Sequence, residues 1–392
     1  MEKRFQRPVS ITERIWLSVN AVCPPYVNQL VSAGRGTIDL KDLQHAVEKA
    51  SQANPGSRLI LKGNLHKAYW LDSGITPPVR VITGKGWDGY DSEAAPYLQT
   101  PLPYSGPTCE VVFVPGDISH VIVRSNHGVM DAGGTVTWAD DIYRVLRGEE
   151  PLGSSSTMTE AALTRQFSSA TKKMSTLKCI APTGKAQPGP TGITWKRLSF
   201  SGKHSKVMGK VAIALARSAW KYGTGTFQMA IPVDLRMRQP DVRSTGNLSM
   251  AIYVTVTPDS TPESITDDVR RQLLGCEDCV LIEGGDHLDL VPLWLMQLGL
   301  KMVFKWQHLR GHYPVSALVS YVSRLDVQRF SGGGFYTETC FGIPPGMEGF
   351  PAFVGIGRTL DNRMEVVISI PNVLASNGRL DQLAQDISAV FS

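Results

Sequence analysis

The sequence lacks any long uncharged hydrophobic run. No stretch reaches the roughly eighteen consecutive apolar residues of a membrane-spanning helix. The most apolar segment, HLDLVPLWLMQLGLKMVFKWQHLR, is bounded by Asp289 and Lys301 and reads as a mostly buried helix. The opening residues, MEKRFQRPVSITERIW, are charged and lack the apolar core of a secretory signal. Lys and Arg number 40 against 35 Asp and Glu, a net charge of +5, and they are dispersed; no basic block marks a nucleic-acid arm. Cysteine is scarce, with 6 in the chain. Cys276-Glu-Asp-Cys279 is a lone CxxC with no second pair and no neighbouring His pair, so reduced thiols are expected rather than a metal or redox site. Short-period repeats are missing as well. These absences predict a monomeric cytoplasmic protein with no metal, no membrane and no nucleic-acid partner.

What is present fits a globular chain with substantial cores: 42% hydrophobic and 19% charged residues over 392 positions, enough for two domains or one double domain. In the first half, Asp39 precedes an amphipathic run with Leu40, Leu43, Ala46, Val47 and Ala50 on one side, which predicts a capped helix. SRLILKG and HKAYWLDSG predict strands joined at Gly63-Asn64, and CEVVFVPGDISHVIVRSNH predicts two more. Residues 149–192 are rich in Ser, Thr, Pro and Gly around a weaker helical stretch near 160–178, and the boundary is placed there. The second half repeats the mixture. Helices are expected at SKVMGKVAIALARSAWKYG, TPESITDDVRRQLLG and GRLDQLAQDISAVF. Strands are expected at TFQMAIPVDLR, NLSMAIYVTVTP, VSALVSYVSRLD, GFYTETCFG, PAFVGIGRTL and RMEVVISIPN. The fold class is α/β (an α+β sandwich) in two related lobes, residues 1–175 and 176–392.

The chemistry gathers in VIVRSNHGVMDAGGTVTWADDIYRVLRG. A strand runs to His127, and a helix with Trp138, Ile142, Val145 and Leu146 on one face ends at Gly148. The intervening turn carries Asn126, His127, Gly128, Asp131, Gly133 and Gly134, and its glycines permit a tight backbone. Imidazole is the side chain suited to proton abstraction near neutrality. Asp131 could touch that ring or pair with a distant Arg. On spacing alone, a helix-capping Asp beside an exposed His is the plainer reading.

The motif H-x-x-x-D followed by a small residue on a strand-to-helix turn resembles the signature of condensation-domain and BAHD-type acyltransferases, relatives of chloramphenicol acetyltransferase. IPVDLRMRQPDVRSTGNLSM resembles their downstream Asp-x-Arg strand end and Gly-Asn turn. LVSYVSRLDVQRFSGGGFYTE resembles their crossover segment, and RPVSITERIWLSV with DLKDLQHAVEKASQANPGSRLIL resembles their opening helix and strand. The resemblance spans most of the chain in order. It implies two acetyltransferase-like lobes meeting at a central tunnel, with His127 as general base. Asp131 would turn away from substrate and pair with Arg236, or with Arg238 nearby. Ser320, Tyr321 and Ser323 would lie near the tunnel and its oxyanion. The donor would be an acyl-CoA or an acyl-phosphopantetheine on a carrier protein, the acceptor a small amine or alcohol, and no cofactor would be tightly bound. KRLSFSGKHSK, with Lys196, Arg197, Lys203, His204 and Lys206, is a solvated loop or a contact for phosphates or an acidic carrier. Two departures stand out: Asn126 replaces the first of the paired His residues of condensation domains, and the Asp-Phe-Gly-Trp-Gly run of plant BAHD enzymes is missing.

Overall fold

A computed structural model describes residues 4–83, 87–173 and 177–392; the side chains of Asp286, Ser323 and Arg324 lie outside that description. In chain order the first lobe comprises β1 (Gln6–Pro8), α1 (Ile11–Val22), β2 (Val27–Gly36), α2 (Leu40–Ala53), β3 (Leu59–Lys62), β4 (Tyr69–Asp72), β5 (Val79–Val81), β6 (Cys109–Val114), β7 (Ser119–Asn126) and α3 (Ala132–Leu146). A connector holds α4 (Glu160–Thr164) and β8 (Thr171–Lys172). The second lobe continues with β9 (Ile193–Ser201), α5 (Val207–Tyr222), β10 (Phe227–Asp234), β11 (Ser249–Val256), α6 (Pro262–Leu274), β12 (Leu281–Ile282), α7 (Leu293–Arg310) and β13 (Ala317–Leu325). It closes with β14 (Phe335–Ile343), β15 (Phe353–Thr359), β16 (Arg363–Pro371), α8 (Asn372–Ala375) and α9 (Arg379–Ser388).

Local chemistry sets the helix starts. Ser10 Oγ accepts from the Glu13 amide at 3.2 Å while the Glu13 carboxylate accepts from the Ser10 amide at 3.0 Å, a reciprocal cap on α1. Asp39 caps α2 through the Lys41 amide, and Thr261 with Pro262 starts α6.

The first-lobe sheet has the order β14-β2-β7-β6-β5. Alternate residues of its central strands serve two cores, as the period-2 pleat requires. Val111, Val121 and Val123 pack on Trp138 and Ile142 of α3 and Leu43, Ala46 and Val47 of α2. Val112 and Ile122 face the other way, onto Trp195 and Val367 of the second lobe. The second sheet has the order β11-β10-β13-β15-β16-β9 and packs on α5 and α9 through Val211, Leu215, Leu383 and Ile387. Chain crossing joins the lobes: β14 leaves the second sheet and pairs antiparallel with β2 at the edge of the first. Between the two cores, sheet faces sheet, which makes this an α+β sandwich of two lobes.

Several sequence expectations change. α7 is not mostly buried; of its residues only Phe304 and Gln307 are fully covered. Leu40 is 40% exposed, at the start of α2 rather than on its inner face. The helical stretch expected across 160–178 shrinks to Glu160–Thr164, because residues 165–167 find no buried position. Two long strands escaped notice. β2 buries Asn28, Gln29 and Ser32 beside its apolar residues, and β9 turns Arg197 inward, so neither shows clean alternation.

Candidate active site

The end of β7 and the start of α3 form the turn that carries His127. Asn126 is fully buried and anchors it: Nδ2 donates to the Leu102 carbonyl at 2.5 Å, and Oδ1 accepts from the Gly128 amide at 2.9 Å. Both polar ends of Asn126 are therefore spent on backbone. His127 is half-buried, and its amide donates to the Tyr26 carbonyl at 3.1 Å. Its ring sits 5.3 Å from Trp16 and 5.0 Å from Tyr26, with those two rings 5.5 Å from each other, a near-equilateral aromatic cluster.

Nδ1 of His127 lies 3.2 Å from the Met130 carbonyl oxygen. A carbonyl can only accept, so Nδ1 carries the hydrogen and Nε2 keeps a free lone pair. Burial lowers the basicity of the ring below that of an ordinary histidine, and the Asp131 charge offsets this only in part. The imidazole is neutral near pH 7, the form in which it can accept a proton.

Asp131 points away from that ring. It caps α3 and accepts five hydrogen bonds: from the Gly134 amide at 2.7 Å, the Leu248 amide at 2.7 Å, Ser249 Oγ at 2.9 Å, and Arg236 at 3.0 and 3.1 Å. Four of the five come from the second lobe. Burial would raise the Asp131 carboxyl, but the Arg236 guanidinium and these donors outweigh it and hold it below the usual range. Arg236 also donates to Asp234 at 2.8 Å, to the Ser244 carbonyl at 3.0 Å and to the Gly246 carbonyl at 2.7 Å, which leaves it no freedom. Arg238 is bound elsewhere, to Asp278.

Close approach between the lobes explains the glycines. None of the three in the turn has a positive φ. A Cβ on Gly134 would stand 2.3 Å from the Thr245 carbonyl oxygen, one on Gly133 2.8 Å from Arg236 Nη1, and one on Gly128 3.0 Å from the Leu17 side chain. Gly134→Ala is accordingly expected to lower unfolding free energy by about 1–3 kcal/mol, the range for forced overpacking. Urea denaturation measures it, and an unchanged midpoint would contradict so tight a seam.

Asn247 was not foreseen. It is buried against His127 from the second lobe, and its Nδ2 donates to Glu13 Oε1 at 3.2 Å. Glu13 in turn binds Arg7, so the His127 ring is backed by a buried chain of polar groups crossing the lobes. The only sequence trace was the Gly-Asn turn. Trp16 and Tyr26 carried no signal at all, because aromatic residues on a helix and in a loop ordinarily read as core.

The remaining candidates lie apart. Tyr321 packs on the second-lobe core, and among the described residues neither its hydroxyl nor that of Ser320 hydrogen-bonds to the His127 turn. Ser323 falls outside the described side chains. β10 and β13 pair only at Met229↔Ala317 and Ala230↔Leu318, so the two strands are unpaired where Ser320 stands. The basic cluster is not a simple solvated loop. Lys196 and Arg197 belong to β9; Arg197 is buried beneath Tyr90 and Phe341, Lys196 pairs with Asp381 and Lys206 with Glu263. A cavity of about 380 Å³ there is lined by Asp91 and Asp381 as well as Lys196 and Arg197, two charges of each sign. Cys279 is buried and its thiol pushed up to about 11; among the described residues no His, Cys, Asp or Glu group could hold a metal ion.

With the two lobes, the crossing β14 and the HxxxD turn in place, the molecule can be compared with known ones. No family profile and no curated protein matches the sequence. Solved structures do. The condensation domain of the monacolin K polyketide synthase MokA superposes with a TM-score of 0.65 at 12% identity, covering 98% of this chain and 96% of that one. The chain has the condensation-domain fold. A variant of the starter condensation domain of rhizomide synthetase RzmA, solved with C8-CoA and Leu-SNAC, gives 0.63 at 14% identity over 98% and 94% of the two chains. Polyketide synthase associated protein 5 from Mycobacterium tuberculosis gives 0.63 at 14% identity over 98% and 97%. In each case the match covers nearly the whole of both chains. Among its described residues, no helix is long and apolar enough to cross a membrane.

Proposed function

We propose that this condensation-fold protein is an acyltransferase that moves an acyl group from a coenzyme A or carrier-protein thioester to a small amine or alcohol. The observation that carries the reading is the His127 imidazole: neutral, held in one tautomer by the Met130 carbonyl, and set on a turn clamped by Asp131 and Arg236. Nε2 takes the proton of the acceptor N–H or O–H as its heteroatom attacks the thioester carbonyl. A tetrahedral oxyanion forms. Its collapse breaks the C–S bond, and the imidazolium returns the proton to the departing thiolate. Asp131 and Arg236 position the turn and exchange no proton. The unpaired stretch between β10 and β13 supports a passage from the second lobe toward the base, with Ser320 on its wall. A starter condensation domain of this fold crystallised with C8-CoA supports a thioester donor.

The test is thioester consumption by the purified chain, with acyl-CoA and acyl-pantetheine donors offered alongside amine and alcohol acceptors. The pH profile adds a signature. Since burial lowers the His127 pKa, kcat/KM should hold level as pH falls through about 6.5, the ordinary histidine value, and break only below it. A break at or above about 6.5 would mean that the titrating base is a different, better-solvated group. Absence of turnover with every donor would instead assign the chain to a binding module that keeps the fold without the reaction.

A further inference from the structure

The outer face of α7 is the feature of the surface that acyl transfer leaves unexplained. Of the exposed large apolar side chains, eight fall between residues 290 and 309. Trp294, Leu295, Leu298, Met302, Trp306 and Leu309 line one side of this 18-residue helix, with Trp294 65%, Met302 61% and Leu309 79% exposed. At 100° per residue they fill a continuous stripe about 120° wide, broad for a coiled-coil seam. The inner side is also accounted for: Phe304 and Leu300 pack on Val19, Val22 and Tyr26, and His308 binds Glu348 at 2.8 Å. The stripe is thus not a core face awaiting a neighbouring element of this lobe.

Charge selects the occupant. The helix holds no Asp or Glu. Lys301 borders the stripe on one side, Lys305 falls within it between Trp294 and Leu298, and Arg310 lies beyond the other side, where its guanidinium is 5.7 Å from the Trp306 ring. The acidic residue just before the helix, Asp289, faces Arg14 instead. Tryptophans near both ends, aliphatics between them, a lysine among them and cations beyond both edges match what an anionic lipid interface binds: rings at headgroup level, apolar side chains at the acyl boundary, lysine and arginine reaching phosphates. A second copy fits worse. Two such helices packed face to face would bring Lys301 and Lys305 against the cations of the partner with no carboxylate between them.

We infer that α7 seats the protein peripherally on an anionic lipid bilayer. The helix lies flat along the interface and does not insert through it. This departs from the expectation of a protein with no membrane partner. It stands apart from the acyl-transfer reading, since no residue of the stripe touches the His127 turn and binding is measured without turnover.

Vesicle flotation of the full chain tests it, with phosphatidylcholine vesicles compared with phosphatidylcholine–phosphatidylglycerol vesicles. The expected result is flotation with the anionic vesicles, at least about tenfold weaker on the neutral ones and released by high salt. The Leu298→Gln, Met302→Gln, Trp306→Gln triple variant should lose it while keeping the thermal midpoint of the parent. Lys301→Glu with Lys305→Glu, on exposed positions, gives an independent loss should the triple variant misfold. No flotation of the parent, or flotation unchanged in both variants, overturns the proposal. So does a stable dimer in sedimentation equilibrium that Met302→Asp dissociates, which would give the stripe to a second copy of the chain.

Discussion

His127→Ala is expected to lower kcat/KM for thioester consumption by about 10²–10⁴-fold, the usual contribution of a positioned general base. The fold should persist, at a cost in stability. The ring is half-buried and makes one hydrogen bond, at 3.2 Å, and the turn itself is held by Asn126 and Asp131. The thermal midpoint and the activity therefore separate: activity collapses while stability falls by about 1–4 kcal/mol, the scale of one net hydrogen bond plus the stacking on Trp16 and Tyr26. Both are read on one preparation. Turnover that survives the substitution would transfer the role of base to another group or to solvent. His127→Gln refines the result, because it keeps a polar group of similar length near Met130 and Asn247 without a basic lone pair; it should be as inactive as alanine.

Asp131→Ala should do the reverse, with stability falling first. The substitution removes the cap of α3 and leaves Arg236 charged, buried and short of its partner across the seam. Breaking one side of a buried ion pair costs about 3–5 kcal/mol. Urea denaturation should register that loss, and a double-mutant cycle with Arg236→Met should recover part of it, since no unpaired cation then remains. Asp131→Asn separates the two functions of the residue: it keeps an acceptor for the Gly134 amide while removing the charge that Arg236 answers. The pH dependence follows from sign. The folded carboxyl titrates below its unfolded value, so its stabilisation is fully present above about pH 4, where the unfolded group ionises, and is lost as pH falls through the depressed folded pKa. Wild-type stability should drop in acid by more than that of Asp131→Asn. Equal acid sensitivity would show that the Asp131–Arg236 pair adds nothing to the cohesion of the lobes.

Legibility in the sequence tracked how local the physics was. Asp39, Thr261 with Pro262, and the alternation in CEVVFV and VIVRSN act within a few residues, and the elements they announced are present. The helix at Glu160–Thr164 falls short of its expected length because periodicity alone does not supply a surface to pack on. α7 misled in the opposite sense. Apolar residues lie all around it, so no polar stripe distinguished the side that meets α1 from the side left open. Arg197, expected in a solvated or phosphate-binding cluster, is instead enclosed by Tyr90 and Phe341, because its strand pairs with β16 across the whole sheet edge.

The sequence by itself determined the mixed α+β class, the two-lobe plan and the turn on which an imidazole and a carboxylate stand four residues apart. Those depend on periodicity, caps and an ordered set of motifs. Tertiary structure alone decided the rest of what surrounds that turn: the Leu248 and Ser249 donors to Asp131, the Asn247 amide set against His127, the stacking of Trp16 and Tyr26, and the open face of α7. Each joins residues on different elements, several of them more than a hundred positions apart. Such contacts follow from how two sheets pack and where β14 crosses, information that no local window of the chain contains.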